Sequence, residues 1–295
     1  MDTDLIKALG DELFNALRNR QTLAPLTRRY PQITLEQAYQ ISLQFLKRRE
    51  ALGERVIGKK IGVTSLAVQQ MLDVHQPDFG FLTDAMQVAD GSDVSLARYN
   101  LIQPRAEGEI AFILGEDLHG PGISREDVLA ASQWVVPCFE IVDSRIHDWQ
   151  IRIQDTVADN ASCGVFALGP QRIDPRSLDL AAVHMQLLKN HNPAGSGLGS
   201  AVQGHPCAAV AWLANTLGEL GIPFRRGEII LSGALAPLVP VVAGDHISLS
   251  MTGHCRQWHA VEVVAHHLLP GGQCLWTVLI SAGSHWPRPS TLEST

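Results

Sequence analysis

The sequence predicts an α+β fold: a β-rich core with flanking helices, preceded by an N-terminal helical segment. Three observations carry this. Apolar residues in the first fifty positions recur at helical spacing. From Arg55 onward the texture changes to short β-rich runs separated by Gly, Pro and Asp turns. Only two further helical patterns interrupt those runs.

The elements follow in order. Leu5, Leu9, Leu13, Ala16 and Leu17 form the stripe of a first helix over residues 4–20. A loop with Pro25 and Pro31 leads to "TLEQAYQISLQFLKRRE", where Thr34 and Gln37 have the spacing of a capping box. Leu35, Ala38, Ile41, Phe45 and Leu46 are its buried stripe. Seven strand-like runs come next: "RVIGKKIGV", "EGEIAFIL", "VVPCFEIVD", "CGVFALG", "VHMQLLKN", "EIILSGA" and "HISLSMTG". Between them, "SREDVLAASQWV" predicts a helix capped by Ser124. "HPCAAVAWLANTLGELG" predicts another, with Pro206 in its first turn and Gly221 at its stop. The chain divides on this reading into a helical segment over 1–54, a core over 55–253 and a tail over 254–295.

Composition narrows the function. The chain has 295 residues, a net charge of −7 and 18% charged residues, a soluble globular profile. An acidic chain without a basic run argues against nucleic acid as a partner. No apolar run reaches the ~18 residues of a membrane span. The start "MDTDLIKALGDEL" is acidic and amphipathic, unlike a signal peptide. Five cysteines without a CxxC pair read as reduced thiols, so a cytoplasmic location is expected. "GSGLGS" lacks the GxGxxG spacing and reads as a hairpin loop. No Ser-His-Asp arrangement has support, and Ser232 in "LSGAL" is not in a GxSxG elbow.

The acids in apolar strands need an explanation. In "RAEGEIAF", Glu107 and Glu109 are two apart and so share one face of a strand. Glu140 sits among Val135, Val136, Phe139, Ile141 and Val142, where an acid requires a partner. If the two strands are adjacent, three carboxylates converge. Two carboxylates ~4 Å apart repel by about 4 kcal/mol at an effective dielectric of 20, so three call for a cation. Oxygen-only ligands select a hard divalent metal such as Mg²⁺ or Mn²⁺. Lys59 and Lys60 are consecutive in a strand-like run: either both reach solvent, or one faces the acids. Asp78 reads as a turn residue or a site residue. Asp155, Asp159, Asn160 and Ser162 read as a capped helix end or loop, or as part of a site. Asp143, Arg145, His147 and Asp148 read as supporting groups or surface charges, with His147 exposed.

The motifs "GKKIGVTS", "QPDFGFLTDAM", "LIQPRAEGEIAFIL", "EIVDSRIHDWQIRIQDTVADNASCG", "AVAWLANTLGELG" and "GEIILSGAL" together resemble the 2-hydroxypenta-2,4-dienoate hydratases (2-oxopent-4-enoate hydratases) of meta-cleavage degradation of aromatic compounds. These are similar to 4-oxalocrotonate decarboxylases and share the fumarylacetoacetase C-terminal fold. The resemblance covers the chain from its first helix to about Gly253. It implies a core around Mg²⁺ or Mn²⁺ held by Glu107, Glu109 and Glu140, with Lys60 and Asp78 catalytic, and Ser162 and Lys60 binding substrate. It implies a small 2-hydroxydienoate as substrate, a homo-oligomer, and a complex with 4-oxalocrotonate decarboxylase. Two rival readings are a 4-oxalocrotonate decarboxylase and a non-catalytic subunit that stabilises one. After Gly253 the sequence departs from the family's usual ending, and the tail stands where a closing strand is expected. Its Cys255, His259, His266, His267 and Cys274 fit no standard zinc spacing.

Overall fold

A computed structural model describes residues 1–89, 92–253 and 274–281. Three helices open the chain: α1 (Thr3–Asn19), α2 (Leu26–Arg29) and α3 (Leu35–Glu50). Asp2 caps α1 by accepting from Leu5 N, and the Thr34–Gln37 capping box opens α3 in both directions. Their apolar faces meet: Leu9, Leu13, Phe14 and Leu17 of α1 pack with Ile41 and Phe45 of α3, the two phenyl rings edge to face at 6.3 Å. The same cluster takes in Ile153 and Val157 from α6 (Ile153–Ala158). A polar tether reinforces the contact. Buried Asp155 accepts from Thr27 N (3.0 Å), Thr27 Oγ1 (2.7 Å) and Arg152 N (2.9 Å).

The remaining elements in chain order are β1 (Val56–Gly62), α4 (Leu66–Leu72), β2 (Asp78–Thr83), β3 (Val94–Ser95), β4 (Arg105–Leu114), α5 (Arg125–Ala131) and β5 (Ser132–Val142). After α6 come β6 (Cys163–Leu168), β7 (His184–Lys189), β8 (Asn192–Leu198), α7 (Pro206–Glu219), β9 (Ile229–Ala234), β10 (Val239–Pro240), β11 (His246–Thr252) and β12 (Cys274–Ser281).

One sheet has the order β2-β1-β9-β4-β5-β6, with β10 on β4. Its pairs are antiparallel except β1 with β9. Just past β2, Gln87 bridges Phe166 of β6, and Val88 N donates to Phe166 O at 2.8 Å. The sheet's two edges therefore meet, and the sheet closes into a roll. Strand alternation sends one set of side chains inward. That interior is apolar at one end, with Leu82, Met86, Ala111, Val136, Cys138, Phe166 and Leu231. The outer face, with Ile110, Phe112, Phe139 and Ile141, packs on α7 and on a second sheet of order β3-β12-β11-β7-β8.

Each strand expected from the sequence has a counterpart, and "GSGLGS" runs from β8, the second strand of a hairpin with β7, into the turn after it. The helix expected over "SREDVLAASQWV" is shorter. It stops at Ala131, where Ser132 Oγ donates to Val128 O at 2.6 Å, and "SQWV" opens β5 along β4. The tail supplies a strand: β12 pairs with β11 over residues 246–251 and with β3. Cys255, His259, His266 and His267 lie outside the described residues. Among the described residues, no helix is long and apolar enough to cross a membrane.

The Asp155 tether gives a first expectation. Asp155→Ala leaves the Thr27 and Arg152 amides without their acceptor, at about 1–3 kcal/mol for groups left unsatisfied when buried. Urea unfolding should show a lower midpoint; an unchanged midpoint would mean that apolar packing alone holds the helical layer.

Candidate functional site

Glu107 and Glu109 lie on β4, and Glu140 lies on β5 directly opposite Glu107. All three face the interior of the roll, at the end not filled by the apolar cluster. Gly108 between them faces the other way, where a Cβ would meet Leu249 and Met185 of the second sheet. One carboxylate oxygen from each acid lies within 4.8 Å of the others. Glu109 and Glu140 are fully buried, and Glu107 is half-buried. Burial and the Glu140 charge push the Glu107 and Glu109 carboxyls well above the usual range. Glu109 Oε2 accepts from Gly233 N at 2.9 Å. The amide is aimed by a register shift between β4 and β9, with Gly233 at φ +111.

The other oxygens are left over. Glu109 Oε1, both oxygens of Glu140 and Asp78 Oδ1 are buried without a hydrogen-bond partner among the described residues. Buried polar atoms almost always have one. At the observed separation each ionised pair repels by about 3–4 kcal/mol at an effective dielectric of 20. The chemistry that satisfies such oxygens is a hard cation, and an all-carboxylate donor set is what such a cation takes.

Lys60 faces the acids. Its Nζ lies 3.4 Å from Glu140 Oε1, an ion pair not aligned as a hydrogen bond, and donates to Ala161 O at 3.1 Å. Burial opposes its charge, but Glu140, Asp78 and Glu107 outweigh burial and hold the ammonium above the ordinary lysine range. Lys59 points to the opposite layer and is buried as well. It pairs with Glu228 at 2.5 Å over the Phe224 ring, and its pKa is lowered by burial. The reading in which both lysines reach solvent fails because both faces of this strand are covered. Asp78 is the first residue of β2, paired with Gly62 of β1. A Cβ on Gly62 would sit 2.2 Å from Asp78 Oδ1 and 3.2 Å from Lys60 Nζ, so the two groups flank this glycine. Burial raises the Asp78 carboxyl to about 6 against the pull of Lys60.

The "ADNAS" stretch forms an unusual turn. Asn160, Ala161 and Ser162 all have φ between +51 and +53, which costs each non-glycine residue energy. The surroundings hold it there. Asn160 accepts from Phe81 N (2.8 Å) and donates to Phe81 O (3.0 Å). Arg145, fully buried, pairs with the Asp159 carboxylate and donates to Asp159 O (2.6 Å) and Cys163 O (3.1 Å). The turn thereby aims the Ala161 carbonyl at Lys60. Ser162 Oγ lies 3.1 Å from Thr156 Oγ1. Asp143 is buried and accepts from Ile102 N and Gln103 N. His147 and Asp148 are exposed.

The roll with acids at one end matches a known family. Residues 57–261 match the fumarylacetoacetate hydrolase C-terminal family, and the chain belongs to it. Within that family it is similar to particular enzymes. The 2-hydroxyhexa-2,4-dienoate hydratase of Comamonas testosteroni is 68% identical over 252 residues, 85% of this chain and 96% of that one. The 2-hydroxypent-2,4-dienoate hydratase of Pseudomonas putida is 60% identical over 222 residues, 75% of this chain and all of that one. Among solved structures, 4-oxalocrotonate decarboxylase from Pseudomonas putida G7, complexed with magnesium and adipate, superposes with a TM-score of 0.84. It is 31% identical and covers 95% of this chain and 98% of its own.

Gly233 is not singled out in the sequence, and Arg145 is left open there between a supporting group and a surface charge. A glycine inside a strand pattern is a signal of a bulge, but Arg145 finds its partner only through the fold. Arg145→Met should cost about 3–5 kcal/mol, the scale for leaving a buried partner charge uncompensated. Denaturant unfolding measures it; a change below about 1 kcal/mol would mean Asp159 finds another partner.

Proposed function

We propose that the chain is a divalent-metal-dependent hydratase that adds water to 2-hydroxypenta-2,4-dienoate, giving 4-hydroxy-2-oxopentanoate in the meta-cleavage degradation of aromatic compounds. The observation that carries this reading is the group of buried carboxylate oxygens without hydrogen-bond partners among the described residues, beside Lys60 and Asp78. The naming of the similar hydratases supports the substrate. Glu107, Glu109 and Glu140 would hold the metal, Mg²⁺ or Mn²⁺ by the hardness of the donors. Bound there, such a metal would supply Lewis-acid stabilisation of negative charge developing on the substrate's oxygens.

The chain's own residues do the rest. The dienol ketonises by losing its hydroxyl proton and gaining one at C5, which makes C4 an electrophilic enone carbon. Water then adds its oxygen at C4, and C3 takes a proton. Lys60 is the proton carrier in this scheme: its ammonium lies at the carboxylate group, 3.4 Å from Glu140 Oε1, and a cation bound among the acids would offset the negative charge that holds its proton. Asp78, a carboxyl raised to about 6, is the group to orient the water and receive its proton. The Ala161 carbonyl fixes the Lys60 ammonium, and Ser162 would bind the substrate carboxylate.

A second reading, 4-oxalocrotonate decarboxylase, is favoured by the structural match to that enzyme. One assay separates the two. With Mg²⁺ or Mn²⁺, fresh 2-hydroxypenta-2,4-dienoate should lose its diene absorbance, and a chelator should stop the loss. With 4-oxalocrotonate little carbon dioxide should appear. Decarboxylation faster than hydration would overturn the hydratase assignment.

The two lysines separate catalysis from scaffold. Lys60→Met should lower kcat by about 10²-fold or more, the scale of a lost general acid or base. Lys59→Met should instead lower stability, because it strands Glu228, while kcat stays within a few-fold. Steady-state kinetics at saturating metal, with unfolding curves of both variants, check this. Equal kcat losses at both positions would remove Lys60 from the chemistry.

A further inference from the structure

The carboxylate group and the apolar filling of the roll meet at two thiols. Cys138 lies directly opposite Glu109 across β4 and β5, and two residues before Glu140 on the same face. Side chains so paired have Cβ atoms about 4.5–5.5 Å apart. Cys163 of β6 pairs with Val142, two residues past Glu140. Both cysteines are buried, in one cluster with Ala111, Val136 and Phe166. Cys138 Sγ donates to Phe139 O at 3.3 Å. The charges of Glu109 and Glu140 bear on the Cys138 thiol, and those of Glu140 and Lys60 bear on the Cys163 thiol. Arg145 donates to the Cys163 carbonyl at 3.1 Å, which anchors the backbone that carries this thiol. Among the described residues, the group held within 4.8 Å is made of carboxylates alone. The sulfurs lie next to it, on the side of the apolar filling.

Two kinds of donor thus adjoin one another, and they take different cations. Carboxylate oxygens suit hard ions such as Mg²⁺ and Mn²⁺, whereas thiolates select softer ones. A cation bound to oxygen and sulfur together has to sit deeper in the roll than one held by the three acids. Glu140 is the acid that serves both positions. It belongs to the group of three, it neighbours both thiols, and neither of its oxygens has a hydrogen-bond partner among the described residues. We propose that the interior holds a second cation position, for a thiophilic divalent ion such as Cd²⁺ or Zn²⁺, with Glu140 and Cys163 as ligands and Cys138 beside them. On binding, the Cys163 S–H bond breaks, the sulfur donates the electron pair it keeps to the cation, and the proton passes to solvent. The two positions share Glu140 and fill one at a time, so a thiophilic ion competes with a hard one. The inference rests on the carboxylates being a cation site, as in the proposed function.

The test is a Cd²⁺ titration of the metal-free chain, followed by the thiolate-to-cadmium charge-transfer band in the ultraviolet, with calorimetry of Mn²⁺ beside it. In the wild-type chain the band should rise with the first equivalent, and excess Mn²⁺ should shift the titration to higher Cd²⁺ concentration. Cys163→Ser and Cys163→Ala should each lose that band and bind Cd²⁺ about tenfold or more weakly, a loss at least as large as for disturbed supporting groups of metal sites. Their Mn²⁺ affinity should stay at the wild-type value. The wild-type readings need no variant: no band in a chain that binds Mn²⁺ overturns the second position and leaves the carboxylate site standing. So does a band that survives in both Cys163 variants, because other cysteines then supply it. Equal losses of Mn²⁺ and Cd²⁺ affinity in those variants also overturn it, because the thiol then only supports the acids. Binding of neither ion by the wild-type chain overturns this position and the carboxylate site together.

Discussion

Three carboxylates held within 4.8 Å of one another are the constraint on which the rest of the structure depends. Such a group is unfavourable by itself, and the fold is arranged to impose it. Direct pairing of Glu107 with Glu140 sets the first contact. Two-residue spacing on β4 sets the second, because Glu109 must share the face of Glu107. The shift between β4 and β9 brings one amide, that of Gly233, to Glu109. That amide satisfies a single oxygen, and Lys60 supplies a single positive charge. The deficit of positive charge that remains is the physical basis for the divalent cation proposed here.

The helical layer belongs to this site as much as the roll does. Phe45 of α3 lies under the Arg145 guanidinium at 5.5 Å. Arg145 fixes Asp159 and the left-handed turn, and the turn presents the Ala161 carbonyl to Lys60. Tyr39, from the same helix, stacks on the residue after Asp78. A change in the packing of α3 is therefore carried to Lys60 through one buried ion pair and one strained turn. Strain of this kind persists only where the surroundings over-determine the backbone, and the paired hydrogen bonds of Asn160 to β2 do so.

Much of this was legible in the sequence, for reasons tied to particular residues. Alternation and turn residues located the strands of the roll, and acids inside apolar runs marked Glu107, Glu109 and Glu140 as a group. What alternation could not supply was the covering of both sheet faces. It separates Lys59 from Lys60 without revealing that each is buried. Arg145 read as well as a surface charge as it did a supporting group, because Asp159 is fourteen residues away and meets it only in the fold. Asp78 stayed open between a turn residue and a site residue because its strand begins with it. The end of α5 was overrun because "SQWV" continues a helical pattern, while pairing with β4 overrides that local preference. The strand over 274–281 was not read at all. Its pairing with β11 is long-range, and the surrounding composition differs from the rest of the chain.

Calorimetric titration of Mn²⁺ tests the central claim most directly, because it needs no substrate. The wild-type chain should bind one ion. Glu107→Gln, Glu109→Gln and Glu140→Gln should each weaken that binding by about tenfold or more, a loss at least as large as for disturbed supporting groups of metal sites, with the far-UV circular dichroism unchanged. Unchanged affinity in all three folded variants would contradict the account.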